Sequence, residues 1–263
     1  MQNTQQKLED WVNQSGFPLQ IAVANAVEQS FRGHGWRVMY TEHAWRDAES
    51  NEDGFIDLVL HQEHRAISLI IECKRVLDSS WIFLVPNEKE LDRRQAKAWL
   101  TNYASGRLRS FGWTDLALSP STPQAEYCVI PGQDAKSKPM IERVGADLVS
   151  ATQALAKEER KFLIQNPDVY RTYFSVLVTT ARLSICTFDP AKIKLTDGKI
   201  ESGTFKEVPF LRFRKQLSTH TLSDTEIANT NSNSIAGAKE HTVFVVQAES
   251  LTSFLEEFEI DRS

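Results

Sequence analysis

The sequence predicts an α/β fold: a central mixed β-sheet flanked by helices, with a C-terminal extension. Three observations predict it. Apolar residues recur at helical spacing over residues 19–31, and two Ile/Val/Leu-rich segments follow at 55–60 and 66–74. Helical and extended patterns then mix through to the C-terminus, the order expected when helices cover a sheet.

Each element has a local reason. Residues 5–14 place Leu8, Trp11 and Val12 on one helical face, and Gly16-Phe17-Pro18 interrupts the pattern. Leu19, Ala22, Val23, Ala26 and Val27 mark the next helix, which Gly33-His34-Gly35 stops. A strand starts at 36–40, and the polar stretch 46–54 reads as a loop. The polar residues 61–65 separate the two apolar segments, so a β-hairpin joins them.

Leu91, Ala96, Trp99 and Leu100 give 88–104 a helical pattern that ends near Gly106. Further strands are read at 127–130, 173–180, 183–188, 208–213 and 242–247, and further helices at 147–161 and 250–258. Asp197-Gly198 has hairpin-turn chemistry. Residues 218–240, rich in Ser, Thr and Asn, read as a mobile loop. The chain reads as one domain, with a core over about 17–130 and an elaboration over about 131–263.

Composition excludes several classes. Hydrophobic residues at 41% and charged residues at 25% are those of a globular chain, and no apolar run approaches the roughly 18–20 residues of a membrane span. The polar N-terminus lacks the order of a signal peptide, so a cytoplasmic protein without membrane contact is expected. Three widely spaced cysteines in apolar contexts (Cys73, Cys128 and Cys186) predict reduced core thiols. A net charge of −5 argues against a general polyanion coat. Basic residues gather locally, at Arg93, Arg94 and Lys97 and again at Arg212, Arg214 and Lys215, and such groups are commonly solvated faces.

Chemistry concentrates in the hairpin. Asp57, Glu72 and Lys74 interrupt strands that otherwise have the composition of a buried sheet, and an ionised carboxylate there is costly without a partner. Glu72 and Lys74, two apart, share a face. A turn about His64-Arg65 sets opposite each other residues whose numbers sum to 129, which pairs Asp57 with Glu72. Their Cβ atoms would lie roughly 4.5–5.5 Å apart. Two such carboxylates repel unless a cation lies between them, and Mg²⁺, with Mn²⁺ as a substitute, suits an oxygen-ligand site completed by the Cys73 carbonyl. Lys74 would then orient an attacking water or stabilise charge developing on a phosphoryl group.

At these residues the chain resembles the PD-(D/E)XK (restriction-endonuclease-like) nuclease superfamily. Asp57 matches its first acid, Glu72 its second and Lys74 its lysine, while Ile56 stands where the motif has Pro. Gly16-Phe17-Pro18-Leu19-Gln20, Glu72-Cys73-Lys74 with Trp81-Ile82-Phe83, and Val178-Thr179-Thr180-Ala181 resemble a prokaryotic group within that superfamily. The resemblance implies a restriction-endonuclease-like sheet and Mg²⁺-dependent endonuclease activity on nucleic acid, with DNA as the substrate. It also implies a role at the site for Gln20, where relatives often carry a glutamate.

Arg75, Arg93, Arg94 and Lys97 are the candidate nucleic-acid contacts, positioning the phosphate backbone without reading sequence, and the resemblance implies that Gln95 supports the site and the nucleic-acid strand. Glu28 and Asp47 are further acids that could approach a metal, although solvated roles suit both. Gln20 and the acidic balance leave alternatives open: a non-catalytic binding or assembly subunit retaining the fold, or a defence effector activated by a partner. A homodimer or a protein partner is compatible with each.

Overall fold

Two helices open the chain, α1 (Gln2–Gln14) and α2 (Phe17–His34), and Pro18 lies in the first turn of α2, where its missing N–H costs nothing. Gly35 ends α2 in the left-handed region at φ 73°, its N–H closing on Phe31 O at 2.7 Å. The computed structural model describes residues 2–47, 51–77, 79–86, 92–134, 138–163, 168–217 and 232–261.

After the helices come β1 (Arg37–Asp47), β2 (Glu52–Gln62) and β3 (Ile67–Lys74), an antiparallel set. Next are β4 (Ser80–Pro86), β5 (Asp92–Ala104), β6 (Arg107–Ala125) and β7 (Tyr127–Val129). The long helix α3 (Met140–Leu163) leads to β8 (Val169–Thr179) and β9 (Arg182–Phe188). The chain ends with β10 (Thr204–Glu207), β11 (Phe210–Lys215), α4 (Ser232–Lys239), β12 (His241–Gln247), α5 (Leu251–Glu257) and β13 (Glu259–Ile260). No described helix is long and apolar enough to cross a membrane.

This is not the α/β, restriction-endonuclease-like layering expected from the sequence. The protein is mostly β, with few helices: a closed five-stranded mixed barrel and a second sheet. One edge of β8 carries β3 in parallel along its length. Its other edge is divided, β5 pairing with residues 169–173 and β12 with 175–179. Because β5 also pairs with β6, β6 with β11 and β11 with β12, the ring β8–β12–β11–β6–β5 closes. The strands β1–β3 extend from β8 outside the ring, and β10–β9–β4–β7 form the separate sheet.

The helix expected at 88–104 is the main cause of the misreading. Residues 92–104 are β5, and residues 88–91 lie outside the described set. Ala96, Lys97, Ala98 and Trp99 are all buried, because both faces of β5 are covered. A strand buried on both faces has no alternation to read, and Ala, Lys, Gln and Leu carry high helix propensity. Tertiary pairing with β6 and β8 overrides that propensity. The loop expected at 46–54 is shorter, since β1 runs to Asp47 and β2 begins at Glu52. In the expected mobile loop 218–240, residues 218–231 lie outside the described set and 232–239 form α4.

Two apolar layers cover the main sheet. One packs α3 (Leu148, Leu155) against Val59, Ile70, Trp99 and Trp113, and the other packs α2 and α5 against Leu58, Ile71, Phe174 and Phe244. In the second layer Phe174, Phe244, Phe254 and Phe258 meet edge-on or tilted, contacts worth roughly 0.5–1.5 kcal/mol each beyond area burial.

The basic run Arg212–Lys215 is not a solvated face. The β5–β6 register jumps from Arg93↔Thr122 to Gln95↔Ala117, so the β6 residues 118–121 in between have no partner on β5. The fully buried Arg212 fills that bulge. Its guanidinium donates to Leu118 O, Pro120 O, Thr122 Oγ1 and Arg94 O, and lies 4.9 Å from the Phe244 ring centroid. Burial, then the charge of Arg94, lowers its pKa to about 10. Arg214 pairs with Asp115 and Glu240, and Lys215 pairs with Glu142.

Candidate functional site

The hairpin register is the one the sequence predicts. Leu58↔Ile71, Val59↔Ile70 and Leu60↔Leu69 are paired, and Ala66 turns the chain at φ 54° after a short 3₁₀ turn at Glu63–Arg65. Regular pairing stops at Leu58↔Ile71, one step before Asp57 and Glu72. There the Asp57 side chain takes over from the ladder, its Oδ2 accepting the Cys73 N–H at 2.7 Å. On the opposite edge the Lys74 carbonyl accepts from Thr179 Oγ1 at 2.8 Å and from Thr180 N at 3.3 Å. Backbone groups of successive strand residues leave on alternate edges, so the Cys73 carbonyl leaves on the Asp57 side.

The buried Gln20 of α2 donates its Nε2 to the Asp57 carbonyl at 2.9 Å. It reaches the site as a brace on the backbone, with its amide N–H₂ committed there. Glu28 does not approach the site; its Oε1 accepts the Val38 N–H at 2.8 Å and so ties α2 to β1. Asp47 is a buried β1 residue whose carboxylate meets Lys157 of α3 at 3.2 Å.

Glu72 and Lys74 continue the face of β3 that packs Ile70 against α3. They line a cleft of about 480 Å³ bounded by Trp45, Ile56, Asp147 and Leu148. Lys74 Nζ is 3.4 Å from Glu72 Oε1. Burial, then the charge of Asp57, pushes the Glu72 carboxyl up to about 7 even with Lys74 opposing. Burial also raises Asp57 above its ordinary value, against the Cys73 N–H and with Glu42 adding repulsion. Glu72 therefore feels the charge of Asp57, with burial as the larger cause of its shift. Burial likewise holds the Cys73 thiol far up, which leaves it protonated and a poor nucleophile.

The oxygen donors that a hard divalent cation would require can be named residue by residue. Asp57 keeps one carboxylate oxygen outside its bond to Cys73, Glu72 adds a second carboxylate, and the Cys73 carbonyl faces the same edge. Among the described residues no three His, Cys, Asp or Glu side chains come together as a ready-made metal site, so two carboxylates and a peptide oxygen are what the chain offers.

The proposed nucleic-acid contacts are scattered. Arg75 follows β3 and is half-buried. Arg94 bonds Asp261 and Ser119, while Lys97 is buried in an ion pair with Asp115 at 2.7 Å. Arg93 is half-buried and Gln95 exposed, both on strand β5 and not on a helix. Asp147 and Glu42 were not singled out from the sequence. A sign of Asp147 was present, since it interrupts the apolar stripe Val144, Leu148 and Ala151 of α3. Glu42, at φ 50° in β1, carried none. Compared with family models, curated proteins and solved structures, the chain finds no match.

Proposed function

We propose that the protein is a metal-dependent phosphodiester hydrolase acting on nucleic acid, with its site at Asp57, Glu72 and Lys74. One observation carries the reading: Glu72 and Lys74 stand 3.4 Å apart in the lining of a cleft, where burial, and then the charge of Asp57, pushes Glu72 up to about 7. Half-buried acids with raised proton affinity beside a cleft are found more often at functional sites than elsewhere. The acid–acid–lysine pattern, similar to that of PD-(D/E)XK nucleases, supports the same reading. It rests on the site and not on the architecture, because a fold does not dictate chemistry.

Each residue has a task. Asp57 and Glu72 would hold Mg²⁺ or Mn²⁺, with the Cys73 carbonyl as a further oxygen. The metal, when bound, supplies charge neutralisation and polarises a phosphoryl oxygen. Asp57 is held in place twice, by Gln20 on its carbonyl and by the Cys73 N–H on its carboxylate. Lys74 stands where it would stabilise the negative charge that accumulates on the phosphoryl oxygens.

The test is Mg²⁺-dependent cleavage of single- and double-stranded DNA and RNA by the wild type and by Asp57→Asn, Glu72→Gln and Lys74→Ala. The reading expects each variant to lose at least about 100-fold in kcat, the scale of a lost electrostatic contact. Variants as active as the wild type would end it.

A further inference from the structure

Helix α1 contributes nothing to the core. Every side chain from Thr4 to Gln14 is exposed. Among the described residues, the side chains of this segment hydrogen-bond only within it: Gln5 to Glu9, Gln6 to Asp10 and Ser15 to the Val12 carbonyl. A helix of 13 residues is marginal in water by itself even when rich in Ala, and this one includes Asn, Thr, Asp and Val, weaker helix formers.

Its apolar residues nevertheless form a face. Leu8, Trp11 and Val12 recur at three- and four-residue spacing, within about 100° of one another around the helix. They are 52%, 64% and 60% exposed, and the start of α2 adds Phe17 and Ile21 at 60% and 68%. Together the five leave on the order of 600 Å² of apolar surface in water, at roughly 100–200 Å² for each.

We propose that this segment is a homodimer interface, in which α1 and the first turn of α2 pack against the same elements of a second copy. Area, charge and symmetry favour a copy over other occupants. The apolar surface reaches the upper end of the roughly 300–600 Å² patch of an ordinary monomer, and supplies most of the about 800 Å² that each partner loses in a stable complex. Interfaces between identical chains are the apolar ones, whereas those between transient partners are no more apolar than protein surface at large.

Charge speaks against a membrane or a nucleic acid. From Thr4 to Gln14 the chain sets one base, Lys7, against Glu9 and Asp10, while a helix that lies on anionic lipid or along a phosphate backbone is rich in Lys and Arg. The borders of the stripe suit a copy of itself. Gln5 and Glu9 flank one side, Lys7 and Gln14 the other. In a two-fold contact one patch meets itself, and amides, which both donate and accept, can pair with their own equivalents. Packing the apolar face would also give α1 the stability it lacks alone.

Sedimentation equilibrium of the full chain tests the interface, whether or not the protein is a hydrolase. The wild type should have the mass of two chains, with a dissociation constant on the order of 1 µM or tighter, as interfaces of this size show. Leu8→Glu and Trp11→Glu alter exposed residues outside the core, and each should weaken the dimer by at least about 100-fold. Gln6→Glu places the same charge on the opposite face of α1 and should leave the dimer intact. A wild type monomeric at about 50 µM, far above that constant, would overturn the proposal and leave the face to a different protein. A mass other than two chains, a dimer that survives both stripe substitutions, or one that Gln6→Glu breaks as readily would overturn it too.

Discussion

Replacing Glu72 by Gln should make the metal-free protein more stable at pH 8 while abolishing its activity. Burial and the charge of Asp57 raise this carboxyl from 4.5 to about 7. At about 1.4 kcal/mol for each tenfold change in proton affinity, keeping it ionised in the fold costs roughly 3 kcal/mol. Its side chain is 26% exposed, and solvent trims that figure to the order of 2–3 kcal/mol. The sign follows from linkage: a carboxyl that binds its proton more tightly in the fold contributes stability below pH 4.5. That contribution is lost as pH rises through about 7.

The neutral amide keeps the shape without the charge. In EDTA, the Gln variant should melt about 5–10 °C above the wild type at pH 8, at roughly 2–4 °C per kcal/mol. At pH 5 the gap should shrink to a few degrees or less. Millimolar Mg²⁺ should raise the wild-type midpoint and leave the variant's unchanged, because only the wild type keeps both acids. A variant no more stable than the wild type at pH 8, or a gap of equal size at both pH values, would refute the electrostatic account.

Three further outcomes are expected. His241 is fully buried beside Trp113, neither ring nitrogen has a hydrogen-bond partner among the described residues, and burial with Lys97 and Arg214 nearby lowers it to about 4. The stability of the wild type relative to His241→Phe should therefore fall by on the order of 3 kcal/mol between pH 6.5 and about 4, read as the difference between urea titrations of the two proteins. Arg212→Met should cost at least about 3 kcal/mol, seen as a lower urea midpoint at unchanged slope, because the carbonyls of the β6 bulge lose their donors. Gln20→Ala should lower kcat by about tenfold with KM little changed and melting within a few degrees of wild type, because it releases the Asp57 backbone and touches no substrate.

The candidate site was more legible than the fold around it. Asp57, Glu72 and Lys74 stand out because a charge in an Ile/Val/Leu strand is anomalous, and hairpin register is arithmetic once the turn is placed. The barrel was illegible for two physical reasons. Burial on both faces erases periodicity from β5, and closure depends on β5 reaching β8, an edge-to-edge match that no local pattern encodes. Arg212 shows the same limit. A basic residue among basic residues reads as surface, and only a bulge in a strand about ninety residues away makes it a buried donor. Asp147 lay in a correctly placed helix, but the sequence did not say which strand that helix would cover.

The position of β8 also sets an order of events during synthesis. Lys74 has its carbonyl fastened by Thr179 and Thr180, about a hundred residues later in the chain. Asp57, Glu72 and Lys74 therefore leave the ribosome well before the strand that will align them, and the ring beside β8 waits longer still, for β12. A nascent or prematurely terminated chain holds the full reactive motif without the geometry to use it. If the protein cuts nucleic acid as proposed, such late assembly would keep the motif inactive while messenger and ribosomal RNA are within reach.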